Sequence, residues 1–464
     1  MPSPLAKQVL FAAGGDVAAK YGTAVWRKAP PTAGGEIAYT FTRTGNGLYL
    51  ANDVAFGGLK VLTASGGNLR LEQLVDPISL QLQNYLKLEP AGTNSCLQSQ
   101  TLATSPWVSG GSAGATMTNN AGTAPDGTTT ATSVIPTAVS GTHNVTQQSI
   151  TITSNEFVAA SIFLKAITYT GAVVQISNTG APGNGLRAFV DLSNGTLTSG
   201  TLGAGTTLSG AAIIALGSGW YWIGLWGSIG NSLTTAALTF YSFDTYAHAQ
   251  GLTAFTGDGV SGMLAWGAQL ERNGTAILPP TSYILTTAGP ANRNVEGFSV
   301  PWYYSPGAMW LYIRWLERGG GADTSSTSRG LVEMGDQTAR LMLFKEGPGP
   351  GYRGLFDNGA GVQVRSPTGA GLAPTFGQVG EALVALGADG SVAAREAINQ
   401  AADTVYSQSG ADLPFASTFG NLRLSLGTAS AGGGGTPVDN AIHVSRVLVG
   451  TGSPSSIADV RNLI

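Results

Sequence analysis

Charge is what this sequence has least of: only 11% of its 464 residues are Asp, Glu, Lys or Arg, about half the usual share. With 23 basic residues against 26 acidic ones, a net charge of −3 and no Lys/Arg block, it has no basic field to neutralise phosphates, which argues against nucleic acid as a partner. The single cysteine, Cys96, leaves no internal disulfide and no thiol pair for a metal, so it reads as a small buried hydrophobe. His143, His248 and His443 stand far apart, and neither a metal site nor a cofactor is expected from them. No apolar run approaches the 18 or so residues of a membrane helix, and the run from Val9 to Ala13 is too short for the apolar core of a signal peptide. A soluble chain without membrane insertion is the expectation. Long-range disorder is excluded by the 43% hydrophobic content, and helical bundles by the want of a 3.5 to 3.6 residue period.

What is present is glycine, 67 residues of it, between short alternating apolar runs, the pattern of strands and turns. Residues 1–40 form an amino-terminal arm, with a short helical stretch after Pro4 and a Pro/Gly linker from Ala29. Residues 41–100 read as a β-rich connecting region. Between residues 101 and 295 charge nearly vanishes, to six acidic and four basic side chains. The solvent face there must be clothed in Ser, Thr, Asn and Gly, which suits neutral, hydroxyl-rich partners or close neighbours in an assembly. Runs at 145–152, 158–164, 172–176, 188–192, 211–216, 220–226, 238–243 and 263–270 fit a two-sheet jelly roll. A second sandwich is expected over residues 296–464, and its closing segment, Ser453-Pro-Ser-Ser-Ile-Ala-Asp-Val, reads as a short helix capped by Ser453. The fold class is therefore all-β: two tandem β-sandwiches, an amino-terminal arm and a short carboxy-terminal helix.

Three stretches together resemble a family of tailed-bacteriophage virion surface proteins, of tail-fibre, head-spike or decoration type. They are Phe41-Thr-Arg with Gly47-Leu-Tyr; Leu86-Lys-Leu-Glu-Pro-Ala-Gly-Thr-Asn-Ser-Cys; and Trp107 with Ala124-Pro-Asp-Gly-Thr-Thr-Thr-Ala. Gly219-Trp-Tyr, Ala265-Trp-Gly-Ala-Gln-Leu-Glu and Pro280-Thr-Ser-Tyr-Ile look like the closing marks of that family's carbohydrate-binding-module-like jelly roll, placed at 101–295. With Val384-Ala-Leu-Gly-Ala-Asp-Gly-Ser as a hairpin, Leu422-Arg-Leu-Ser-Leu-Gly as a late core strand and Ile442-His-Val-Ser-Arg-Val-Leu-Val before the end helix, residues 296–464 resemble a concanavalin A-like or laminin-G-like sandwich in the order of their runs. The resemblance implies a non-enzymatic protein of the virion, attached through residues 1–40 to other virion proteins and adhering to host-surface glycans. The resemblance to phage adhesins also implies a homo-oligomer, though no coiled-coil stretch specifies one, and repeated copies of a weak site on a particle would gain avidity. The alternative is a decoration or cement protein with a purely structural role.

Alternation along Gly219-Trp-Tyr-Trp-Ile-Gly-Leu-Trp puts Trp220, Trp222 and Trp226 on one sheet face and Tyr221, Ile223 and Leu225 on the other. Both faces cannot share one core, so the outward set would need an explanation as subunit interface, further packing or glycan stacking, with Trp222 the sharpest candidate. Beyond Trp302-Tyr-Tyr, the residues Trp310, Tyr312 and Arg314 share a second face, which either packs into a core or offers a sugar or protein contact. Gly110-Gly-Ser-Ala-Gly has the spacing of a nucleophile elbow but lacks its strand-to-helix setting. Gly349-Pro-Gly-Tyr-Arg-Gly reads as a hairpin turn, not a dinucleotide loop. Acidic residues such as Asp191, Glu271, Glu333 and Asp336 are scattered along the sequence, so the pair that glycoside hydrolysis requires could arise only through folding, and solvated turns and sheet edges are the plainer reading. Asp126, Asp191 and Asp258 are the residues that a loop calcium would use, but they form no dense ligand loop.

Overall fold

The computed structural model describes residues 40–42, 47–64, 70–179, 183–230, 234–274, 277–294, 296–301, 309–317, 329–335, 339–345, 352–358, 363–365, 374, 377–386, 392–401, 404–408, 423–426, 442–451 and 454–461. Residues 1–39 of the arm, Trp302-Tyr-Tyr, Asp336, residues 349–351 and Ser453 lie outside the described residues. The chain is all-β, built of antiparallel sheets that form sandwiches, and closes on a short helix, Ile457–Arg461. The Ser456 hydroxyl caps that helix, accepting from the Asp459 N–H at 3.0 Å.

Two compact units result. Residues 46–64 and 92–293 make one, and residues 1–45, 65–91 and 294–464 make the other, so the segment 41–100 is shared between them. The first unit holds two six-stranded sheets. Its front sheet runs in the order Thr196–Leu202, Gly185–Asp191, Gly171–Asn178, Thr235–Phe243, Asn144–Thr151, Val108–Gly110. The back sheet runs Thr207–Ala215, Trp220–Ser228, Phe157–Ala166, Met263–Arg272, Ala131–Pro136, Ala115–Gly122. Alternation explains the core between them: Val174, Leu186, Leu238 and Phe240 point in from the front sheet, and Ile162, Ile223, Leu225 and Leu270 from the back. Cys96 belongs to this core as well, fully buried, and burial pushes its thiol well above the ordinary range.

The motifs quoted above meet on the strand Met263–Arg272. Asn94 donates to the Ala268 and Ile284 carbonyls at 3.1 and 2.8 Å and accepts from the Cys96 and Leu270 N–H groups at 3.0 and 3.2 Å. Gln269 accepts from the Ile284 N–H at 2.7 Å, while Glu271 accepts from the Thr281 N–H and hydroxyl at 2.6 and 2.5 Å. Gly267, at φ 66°, lets the strand bulge so that this polar row follows Trp266. Buried Asn, Gln and Glu side chains with their bonding capacity so used clasp residues 92–96 and 278–286 to the sheet.

The second unit holds two seven-stranded sheets. In one of them Met309–Glu317 is central, between Val379–Leu386 and Ile442–Thr451, and Leu82–Leu88 pairs with the latter strand from far away in sequence.

Candidate functional site

At one edge of the first unit's sandwich, the pairing of Asn144–Thr151 with Thr235–Phe243 loses register between Gln147 and Ile150. Gln148 and Ser149 are thrown out of the ladder and exposed, with Ser149 at φ 61°. Beside this bulge opens a cleft of about 750 Å³ whose wall includes Thr93, Ser95, Gln148, Ser149 and Thr151. Gln147, also on the wall, is pinned by the Leu97 N–H at 3.0 Å. The one carboxylate in the lining, Glu156, is buried and fully engaged: it accepts from Arg272 Nε at 3.0 Å, from the Thr153 N–H at 2.6 Å and from the Gly274 N–H at 3.3 Å. The cleft thus offers amides and hydroxyls on a rigid sheet edge. Among the described residues it has binding groups but no second acid opposite Glu156, as a glycosidase pair would need.

The aromatic candidates lie elsewhere, and alternation sorted their faces correctly. Ile223 and Leu225 enter the core, with Tyr221 packed against it, and Trp220, Trp222 and Trp226 occupy the back sheet's other face. That face is not a surface, however. Trp220 is fully buried, Trp226 is 3% exposed and Trp222 8%. Trp222 is cross-strand from Phe163, which meets Trp266 edge-on at 5.2 Å, and Tyr283 closes on Trp266 at 4.8 Å. Trp220 donates to the Thr123 carbonyl at 3.1 Å. The hairpin Gly47–Asp53/Gly58–Ala64 lies against the turn before it, with Ser218 Oγ donating to the Phe56 carbonyl at 2.7 Å. The outward patch that two apolar faces seemed to require is absorbed by a second layer of packing.

Trp310 and Tyr312 are likewise buried, packed with Leu383, Ile457 and Val460 beneath the final helix. The Tyr312 hydroxyl donates to Glu381 at 2.8 Å, and Arg461 reaches the same carboxylate. Arg314 sits on Asp76 at 2.6 Å and on Ser445 Oγ at 3.0 Å. These residues hold the second unit together and offer no open stripe. Burial by itself would raise the Asp76 pKa, but the Ser79 N–H, then Arg314 and Tyr85, outweigh it and hold the carboxyl down at about 2. A folded pKa below the unfolded value of about 4 means stability that is complete above pH 4 and lost as pH falls towards 2. Asp76→Asn should therefore lower stability by about 1–2 kcal/mol at pH 7, with the gap from the parent closing between pH 4 and 2, as read by denaturant titration at each pH.

Ser112 sits in a strand-to-strand turn, its hydroxyl accepting from the Thr142 N–H at 2.9 Å. Asp126, Asp191 and Asp258 each close their own turn, on Thr128, Ser193 and Val260 with Ser261. The cleft residues Gln148, Ser149 and Thr151 were not singled out from the sequence. Gln147-Gln-Ser, a polar interruption between Val145 and Ile150, is the signal that marks the bulge.

No protein-family model matches the sequence, and no curated protein matches it. Among solved structures the chain is distantly similar to the LG1-3 region of the laminin alpha2 chain, at 11% identity over 66% of this chain and 68% of that one, with a TM-score of 0.23. It is also similar to domains LG4-5 of the mouse laminin alpha1 chain, at 9% identity over 65% and 89%, with a TM-score of 0.19. Likenesses this slight carry no argument about ligand or partner.

Proposed function

We propose that this chain is a non-catalytic, glycan-binding protein of a bacteriophage virion surface, adhering to host-surface polysaccharide through its charge-poor sandwich. The observation that carries the binding part is the cleft beside the Gln148–Ser149 bulge, with its exposed amide and hydroxyl groups and its single, fully engaged carboxylate. Such groups match sugar hydroxyls as donors and acceptors, and the flanking strands fix the backbone that carries them, so that ordering on binding falls on the side chains alone. The virion setting rests on the resemblance of the motifs around Glu89, Trp107 and Trp266. Copies displayed on one particle would turn weak single sites into firm attachment.

Purified protein should be retained by host cells and by their extracted polysaccharide. Gln148→Ala with Thr151→Ala should weaken that binding about tenfold, at about 0.5–1.5 kcal/mol per lost hydrogen bond, while the melting temperature stays unchanged because both side chains are exposed. No retention of folded protein on either target would sink adhesion and leave the structural decoration role standing.

A further inference from the structure

The outer face of the front sheet carries a row that is polar on its four inner strands. In register across the sheet stand Gly200, Arg187, Gln175, Thr239, Thr146 and Val108. The neighbouring row carries Phe189 and Tyr241 on either side of Val173. Sequence alternation dictates this placement, since Leu186, Ala188 and Val190 point into the core and Arg187 must then point out.

Arg187 is the anomaly in that row. Its Nε donates to Gln175 Oε1 at 2.6 Å, its one hydrogen bond among the described residues, and it joins no ion pair there. The other basic side chains of residues 101–295 that hold partners do so conventionally: Arg272 pairs with Glu156, and Arg293 bonds the Ser282 carbonyl and hydroxyl. A half-buried guanidinium is costly to leave without an anion, and burial pulls its pKa below the ordinary value, with only Tyr241 acting the other way. Gln175 is 5% exposed, and its Nε2 has no protein partner either, yet neither that atom nor the terminal guanidinium nitrogens are sealed from solvent. The space above is open: a side chain built at Gly200, the cross-strand neighbour of Arg187, would meet nothing within 4 Å.

We propose that Arg187 and Gln175 form a second saccharide site, one that takes the carboxylate of an acidic sugar such as a hexuronic acid. The fork of a guanidinium matches a carboxylate bidentately, and Gln175 Nε2 lies beside it as a donor. Tyr241 and Phe189, each half-buried in the row next to it, present partly open rings against which a pyranose can pack and which a peptide carboxylate would leave idle, whereas Thr239 and Thr146 are buried and bond each other at 2.8 Å. This inference rests on reading the chain as a glycan binder, and it adds a sugar class and a separate site.

The test is calorimetric titration of the full chain at low salt with tetragalacturonate and with its methyl ester, beside the host-polysaccharide assay above. Tetragalacturonate should bind, Arg187→Gln should weaken it at least tenfold, and the ester should bind the parent no better than the acid binds that variant. Gly200→Glu, which leaves Arg187 in place and supplies a carboxylate of its own, should block binding and raise the melting temperature. Absence of tetragalacturonate binding, equal binding of the ester, or binding untouched by either variant overturns the proposal. Host polysaccharide retained through the Gln148 cleft without uronate binding overturns the acidic-sugar site alone, and Arg187-dependent uronate binding without retention overturns adhesion to that host alone.

Discussion

Trp222→Ala is expected to lower the stability of the first unit by about 3–5 kcal/mol, the range for emptying a buried tryptophan site. The ring is 8% exposed and lies over Gly224, where any added side chain would run into it. On its flanks are Phe163 across one strand and Ile214 across the other. Removing it leaves a cavity above Gly224 that no neighbour can fill, because glycine has no side chain to swing and Phe163 is held by Trp266 and Tyr283. At about 2–4 °C per kcal/mol for a unit of this size, the first transition in a calorimetric scan should fall on the order of 10 °C. Glycan binding at temperatures where the variant stays folded should be unaffected. A variant that melts with the parent and loses binding would return Trp222 to the surface role that its sequence context suggests.

How far the fold could be read in advance depended on where the burial signal came from. Strands whose inner face is apolar, such as Phe157–Ala166 and Met263–Arg272, are plain in the sequence because two-residue alternation is a local property. The edge strand Thr196–Leu202, with Thr-Leu-Thr-Ser-Gly-Thr-Leu, was missed, since an edge with one half-solvated face needs little apolar content. Alternation sorted the two faces of Trp220–Ser228, but the packing on the tryptophan face brings in Tyr283, against Trp266 and Phe163, and the Thr123 carbonyl, and no local pattern announces a long-range cover. The same limit split the segment 41–100. Leu82–Leu88 reads as a strand from its own residues, whereas its partner, Ile442–Thr451, is chosen by the whole fold. Arg187 was legible in principle, as one of four basic residues in 101–295 and an outward position in an apolar alternation. Its want of an anion was not, because that depends on what the neighbouring strands bring.

Arg70→Leu should destabilise the second unit by about 3–5 kcal/mol, the range for breaking a buried ion pair from one side. Arg70 is fully buried, with Nη1 on Glu89 at 2.8 Å and Nη2 on Glu296. Burial works against its charge, but Glu89 and Glu296 outweigh that and hold its pKa above the ordinary value. Lys87 extends the network to Glu72 at 2.9 Å. The arrangement also carries backbone order: the Glu296 N–H donates to the Glu89 carbonyl at 3.0 Å, and the Glu89 N–H donates to the Glu296 carboxylate at 3.1 Å. Loss of the guanidinium therefore leaves two buried carboxylates facing each other at the point where residues 65–91 join residues 294–464 in one unit. Leucine cannot neutralise them, so the loss should be larger than that of the hydrogen bonds alone. Changing Glu89 and Glu296 to Gln in the Arg70→Leu background should recover part of it, because the uncompensated charges then disappear while the backbone acceptor at residue 89 remains. Urea denaturation of the full chain, followed at the second unit's transition, measures both steps. Equal stability of the Arg70→Leu variant and the parent would mean that the network contributes nothing net to the fold.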